Sequence, residues 1–178
     1  GIAESFIIAE DFICDNNVCL ILGDNIFHGD EFISNINIAK KDLSDGYSSI
    51  FGVSVQNPES FGVIEFDDKN NIIDISEKPD FAKSNIIVSG LYFYTNDVVK
   101  FAKRLKPSER GEKEITDINN VYLSLKKLKL IQLKSSMIEF INGNIDIYDF
   151  RPPAEHINPT ILLFHAVLVS STKFLAVA

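Results

Sequence analysis

A mixed α/β fold, a sheet flanked by helices, follows from three features of the sequence. Val18-Cys19-Leu20-Ile21-Leu22 is an unbroken apolar run, which reads as a short strand buried on both faces; such strands belong to parallel or mixed sheets covered by helices. Apolar residues recur at helical spacing on either side of it, at Ile2, Phe6, Ala9 and Ile13 before and at Phe32, Ile36, Ala39 and Leu43 after. Further extended runs punctuated by turn residues then follow, so strands and helices alternate along the chain.

The elements can be justified in order. The amphipathic pattern from Ile2 to Ile13 predicts a helix that Asp15-Asn16-Asn17 breaks. The buried strand stops at Gly23, and Asp24 presents a carboxylate just past its carboxyl end, the edge at which ligands sit in open α/β sheets. That carboxylate either helps to hold a hard cation such as Mg²⁺ or caps a turn or the following helix. Ser48 to Val55 is the next strand, closed by the turn Gln56-Asn57-Pro58-Glu59. Phe61–Phe66 and Ile72–Ile75 are short strands joined by Asp67-Asp68-Lys69-Asn70-Asn71, which predicts a hairpin. Glu77-Lys78-Pro79 interrupts the extended run. Ile86 to Tyr94 is a strand broken at Ser89-Gly90, where the glycine implies the close approach of a ligand or another backbone. Thr95 or Asn96 caps a helix carrying Val98, Phe101, Ala102 and Leu105, ended by Lys106-Pro107. After the charged loop Ser108–Lys113, a helix from Glu114 to Lys127 turns Ile115, Ile118, Tyr122 and Leu125 inward, with Lys126 and Lys127 in its last turn. Leu128–Leu133 is a closing strand.

The 178 residues suffice for one domain with a sizeable core. A net charge of -8 gives no general attraction for nucleic acid or an anionic membrane, so any bound phosphate must be handled by local Lys, Arg, backbone N–H groups or a metal. Cys14 and Cys19 make neither a metal-ligand spacing nor a disulfide framework, and a reducing cytoplasm is the natural expectation. His28, His156 and His165 are too scattered for a metal cluster. The chain opens at Gly1 with no basic leader or signal core, as expected of a piece of something longer, and Ile161–Ala178 is too interrupted for a membrane span. By physical chemistry alone the candidates are Asp24, the pair Glu77-Lys78, and Arg110, each expected in a connection. For Glu77-Lys78 and for Arg110-Gly111-Glu112-Lys113-Glu114, solvated surface is the competing reading.

The order of several motifs closely resembles the glucose-1-phosphate thymidylyltransferases. They are Gly1-Ile2-Ala3-Glu4-Ser5-Phe6, Leu22-Gly23-Asp24-Asn25-Ile26-Phe27, Phe61-Gly62-Val63-Ile64-Glu65-Phe66, Ser76-Glu77-Lys78-Pro79, Ser84-Asn85, Ser89-Gly90-Leu91-Tyr92-Phe93-Tyr94 and Arg110-Gly111-Glu112-Lys113-Glu114-Ile115-Thr116-Asp117-Ile118-Asn119. The resemblance runs from Gly1 to about Leu133 and implies an incomplete Rossmann-like nucleotidyltransferase domain over residues 1–136. It implies a Mg²⁺-dependent reaction in which glucose 1-phosphate and dTTP give dTDP-glucose and pyrophosphate, chemistry that needs positioning and charge neutralisation more than a protein base. By resemblance Asp24 is a metal ligand, with Asn25 beside it; Gly62, Glu77 and Val88 hold the hexose; Lys78 and Arg110 meet the sugar phosphate; and Gly1 lies near the thymine. Phe61 stands where the family has a tyrosine. The resemblance also implies a homo-oligomer and a route to deoxysugars of cell-surface polysaccharide.

The family's glycine-rich nucleotide loop precedes the position matched by Gly1, and its Trp-Leu-Asp-Thr-Gly segment, with a second metal aspartate, has no counterpart here. Asp146 and Asp149 sit in no matching motif, and residues 137–178 are expected to be an unrecognised, foreign or frame-shifted tail. These residues by themselves are therefore expected not to turn over. The alternatives are a uridylyl- or cytidylyltransferase relative, and a degenerate sugar-nucleotide-binding or assembly module whose apolar stretch Ile161–Val169 docks a partner.

Overall fold

The structure, a computed structural model, describes residues 1–140 and 172–177. The helical stretch at the start is split into α1 (Glu4–Ile8) and α2 (Glu10–Ile13) at Ala9, and Phe6 and Ile13 are buried as their spacing requires. β1 (Asn17–Leu22) ends at the Gly23-Asp24 turn and is followed not by a helix but by a short strand, β2 (Asn25–Phe27). Helix α3 (Phe32–Ser44) begins well downstream with Glu31 at its N-cap position, which removes helix capping as a role for Asp24. β3 (Ser48–Ser54), the hairpin β4 (Gly62–Phe66) and β5 (Ile72–Glu77), and β6 (Ile86–Tyr94) follow as expected. The hairpin arm runs longer than its apolar pattern, so Glu77 is the last residue of a strand, paired with Gly62, and not part of a connection. α4 (Asp97–Arg104), α5 (Ile115–Ser124), β7 (Leu128–Gln132), β8 (Ile138–Phe140) and β9 (Thr172–Val177) complete the described chain.

Three local expectations fail for identifiable reasons. The Asn96 side chain does not cap α4; it donates to the carbonyls of Cys14 and Asn16 and ties the start of α4 to the entry of β1. Leu125 is half exposed because α5 stops at Ser124, and Lys126 adopts a left-handed φ of 56° before the chain enters β7, so neither lysine lies in the helix. Ser89-Gly90 does not break β6: Ile50 faces Tyr92 and Gly52 faces Val88, so one residue of β3 spans three of β6 in a bulge.

β6 is the hub of a mixed sheet. One edge pairs with β3, which in turn pairs in parallel with β7. The other edge is shared: β4 meets it at Val63 and Ile87, while β1 takes Leu91 to Tyr94. The sheet therefore forks at Ser89-Gly90, between the end of β1 and the start of β4. β9 adds a parallel strand to the far side of β1, and β8 pairs with β2. Met137, Ile138–Phe140 and Thr172–Val177, from the segment expected to be foreign, thus pack on or pair with the domain. Asp146, Asp149, His156, His165 and the apolar run Ile161–Val169 lie outside the described residues. Among the described residues no helix is long and apolar enough to cross a membrane.

Alternation along the strands makes two cores. One face, under α3, buries Cys19, Phe51, Val63, Ile87 and Phe93. The other, under α1, α4 and α5, buries Leu20, Ile50, Ile64, Val88, Tyr92, Tyr94 and Tyr122. Tyr94 sits between Tyr92 and Tyr122, its centroid 5.8 and 5.4 Å from theirs in stacked geometry, with Phe6 edge-on at 5.5 Å.

Burial raises the phenols of Tyr92 and Tyr94 well above the ordinary value, and holds Tyr122 up at about 12 against hydrogen bonds with Thr95 and Ser48. An unfolded tyrosine ionises near pH ~10. Between that pH and the folded values the native state holds more protons than the unfolded one, so these groups contribute stability below about pH 10 that is lost as pH rises further. Absorbance at the tyrosinate band should therefore rise for these three only together with loss of the circular-dichroism signal, above about pH 10. Their reversible ionisation near pH ~10 with the fold intact would overturn the account.

Candidate functional site

The site is built where the sheet forks. Leu22 ends β1 opposite the bulge, and a Cβ on Gly90 would fall 2.7 Å from the Cβ of Leu22 and 2.8 Å from Nδ2 of Asn25. The close approach inferred from the glycine is thus made by the protein's own side chains. Asn25, 6 % exposed, donates from Nδ2 to Oδ1 of Asp24 at 2.6 Å and accepts at Oδ1 the backbone N–H of Gly90 at 2.9 Å. Asp24 Oδ2 has no protein partner among the described residues.

On the other side of the fork Gly62 pairs with Glu77, and a Cβ there would sit 3.1 Å from the Thr116 hydroxyl and 3.6 Å from Glu77 Oε2. Thr116, from the first turn of α5, donates to Glu77 Oε2 at 2.5 Å. Arg110 reaches over from the loop ahead of α5, with Nη1 3.7 Å from Glu77 Oε1 and 3.4 Å from Glu114 Oε1, and Nη2 3.8 Å from Glu112. These contacts are long and the guanidinium is nearly half exposed, so each is worth well under about 1 kcal/mol. An incoming phosphate can compete for Arg110. Glu114 is buried and tied to the Ser108 hydroxyl at 2.9 Å, which shapes the loop that carries Arg110. Burial, with the Glu114 charge second, raises the carboxyl of Asp117 one turn further on.

Lys78 follows Glu77 in a left-handed conformation, φ 42°, pinned by its N–H to the carbonyl of Phe61 at 2.9 Å. Its ammonium forms no ion pair among the described residues. Gly1 is pressed on the same loop as Arg110, since a Cβ there would run into the backbone of Lys113. Phe61, in the family's tyrosine position, packs on Phe140 with centroids 5.3 Å apart. Val88 lies on β6 beside the fork, on the face that also carries Tyr92. The structure thus gathers Asp24 and Asn25 on one side of the fork and Gly62, Glu77 and Arg110 on the other. Tyr92 joins them: after burial, the charges of Glu77 and then Asp24 are what hold its phenol up. Sequence reasoning missed Tyr92, Thr116 and Glu114. All three lie in the motifs of the resemblance, but an aromatic in a strand, a hydroxyl in a helix and a carboxylate in a charged loop read as core and surface, and only the Glu77 contact marks Thr116.

A cleft of about 610 Å³ lined by Phe66, Asn70, Ser84, Asn85 and Gln132 contains none of these residues and no charged group. The chemistry argues for the fork, where carboxylates and cations converge. As for a metal, Asp24 offers a hard oxygen donor with one oxygen fixed and the other free of partners among the described residues, which fits a hard divalent cation held by one or two carboxylates and completed by substrate phosphates.

The nucleotidyl transferase family matches residues 1–137, most of the chain. The chain belongs to the nucleotidyl transferase family. Within it, this nucleotidyl transferase is similar to the glucose-1-phosphate thymidylyltransferase of Neisseria gonorrhoeae, 51% identical over 123 residues, and to that of Mycobacterium tuberculosis, 40% identical over 146. Those alignments take in 69% and 82% of this chain but 42% and 50% of the relatives, so the chain spans about half the length of the curated relatives it matches. A Bacillus anthracis structure assigned as a glucose-1-phosphate thymidylyltransferase, in complex with sucrose, aligns with a TM-score of 0.62 at 39% identity, covering 75% of this chain and 52% of that one. A UDP-glucose pyrophosphorylase with UDP-glucose aligns at 0.61 and 23% identity, which speaks for the shared fold alone. The mixed sheet flanked by helices is thus the Rossmann-like nucleotidyltransferase architecture.

Proposed function

We propose that this chain carries the hexose- and phosphate-handling part of a glucose-1-phosphate thymidylyltransferase. An oxygen of the glucose 1-phosphate attacks the α-phosphorus of dTTP, the bond from that phosphorus to the bridging oxygen breaks, and pyrophosphate leaves with the electron pair. The observation that carries this reading is the placement about one sheet fork of Asp24, held by Asn25 and the Gly90 N–H, and of Glu77, reached by Thr116 and Arg110. The attacking phosphate is already an anion, so the protein's work is to hold and to neutralise.

Glu77, oriented by Thr116, accepts hydrogen bonds from hexose hydroxyls, and Gly62 lets the ring approach the strand. Val88 closes the face behind the sugar. Lys78 and Arg110 meet its phosphate, Lys78 as a point charge and Arg110 as a planar fork released from its weak carboxylate contacts. Gly1, against the Lys113 backbone, borders the base. Asp24 and the substrate phosphates would hold Mg²⁺, which when bound supplies charge neutralisation at the reacting phosphoryl group. Cys14 and Cys19 are free thiols, which suits a reducing cytoplasm.

The test is a thermal shift of the chain with dTDP-glucose, with and without Mg²⁺, alongside Asp24→Asn and Lys78→Ala. A ligand that binds only the folded state raises its melting temperature, by an amount equivalent to about 2.7 kcal/mol at a hundredfold excess over Kd. A Mg²⁺-dependent rise lost in both variants is expected. A cooperative melt that does not move with ligand would overturn the reading.

A further inference from the structure

Asn25 is a buried amide with both ends engaged inside the protein. Its Nδ2 donates to Asp24, its Oδ1 receives the Gly90 N–H, and its backbone pairs with Phe140 through β2 and β8. Gly90 belongs to the bulge that β3 skips, and the β1 register ends at the neighbouring pair Ile21 and Leu91, so its N–H is turned to Asn25. On the opposite face of the bulge, the Ser89 hydroxyl donates to the Phe51 carbonyl at 2.9 Å and fastens the distortion in place. The absence of a Cβ at Gly90 is what leaves room for the amide. The chain of contacts therefore runs from a fixed strand bulge, through one buried amide, to one oxygen of the carboxylate at the mouth of the fork.

We infer that Asn25 is a positioning residue that acts through Asp24: anchored by the Gly90 N–H, it holds the Asp24 carboxylate in one orientation and so leaves Oδ2 to a divalent cation. This rests on the reading of Asp24 as the metal carboxylate. It assigns to Asn25 a role directed inward, distinct from contact with the sugar nucleotide, and it makes the Ser89-Gly90 bulge part of the site. Groups that orient a metal-binding side chain typically cost ten- to a hundredfold in metal affinity when removed.

The experiment titrates the full chain, held at saturating dTDP-glucose so that its phosphates complete the site, with Mn²⁺, reading loss of the free-ion EPR signal beyond that taken up by dTDP-glucose alone. The variants are Asp24→Asn, Asn25→Ala, Gly90→Ala and the Asn25→Ala/Gly90→Ala double variant, with circular dichroism confirming the fold of each. Asp24→Asn should abolish the site. Asn25→Ala and Gly90→Ala should each weaken Mn²⁺ binding by roughly 10- to 100-fold. The double variant should lose less than the product of the two single losses, because both changes act on the same buried amide, although a Cβ at Gly90 also presses on Leu22. A purely structural contribution would instead lower the melting temperature and leave Mn²⁺ affinity unchanged. Should Asn25→Ala not fold, Asn25→Ser, which keeps a polar group there but has no amide N–H to reach Asp24, replaces it. Wild-type affinity in the folded Asn25 variant, or independent losses that multiply in the double variant, would overturn the inference. Unchanged binding in Asp24→Asn would instead overturn the assignment of the metal to Asp24, and the inference with it.

Discussion

Tyr94→Ala should lower stability by about 3–5 kcal/mol, the range for truncating a buried aromatic. A domain of this size has roughly 5–15 kcal/mol in total, so the variant should stand near the limit of folding. The magnitude follows from position: the ring is fully buried, stacked on Tyr92 and Tyr122 and met edge-on by Phe6, and each such aromatic pair adds about 0.5–1.5 kcal/mol beyond burial. The loss should appear as a fall in Tm of roughly 6–20 °C. Tyr94→Phe separates ring from hydroxyl. The hydroxyl donates to Oδ1 of Asn119, a fully buried side chain whose Nδ2 has no partner among the described residues, so removing it leaves the whole amide unsatisfied, at about 1–3 kcal/mol. A Tyr94→Ala protein that melts with the wild type would show that the aromatic stack is not what joins α1 and α5 to the sheet.

Glu77→Ala should weaken dTDP-glucose binding by roughly 10- to 150-fold, the equivalent of losing hydrogen bonds to a charged group. Glu77 is mostly buried at the end of β5, and with Thr116 on one oxygen and Arg110 on the other it loses little freedom when hydroxyls arrive. The comparison with dTDP, which lacks the hexose, is decisive. If Glu77 holds the hexose as proposed, affinity for dTDP should be nearly unchanged; equal losses for both ligands would remove it from the hexose subsite. Glu77→Gln keeps an acceptor oxygen and should fall between wild type and alanine.

Much of this fold was legible in the sequence because its signals are periodic. The apolar run of β1, the spacing of α3 and the hairpin turn Asp67–Asn71 each have one strongly favoured solution, and the structure has it. What was not legible depended on partners distant in sequence. Asn96 has the side chain of a helix cap, but the carbonyls of Cys14 and Asn16 lie within its reach only once α4 has docked beside β1. Glu77 looked like part of a connection because its charge ends the apolar pattern, whereas strand pairing with Gly62 carries the ladder one step beyond that pattern. The place of Asp24 just past a buried strand was legible in the sequence. Tyr92 was not, since nothing in a run of strand aromatics says which phenol will feel the charges of Glu77 and Asp24. Gly90 was read as a place where a ligand or another backbone comes close, whereas what approaches is the side chains of Leu22 and Asn25.

Lys78 holds a left-handed backbone that costs a residue with a side chain about 1–2 kcal/mol and a glycine almost nothing. At this one position thermal robustness and the proposed chemistry pull in opposite directions. A search for hardier variants guided by melting temperature alone would be drawn to a glycine here, and would discard an ammonium that has no ion-pair partner among the described residues in doing so. The retention of lysine where the backbone prefers glycine is the kind of local inefficiency by which a working surface can be told from a merely well-packed one.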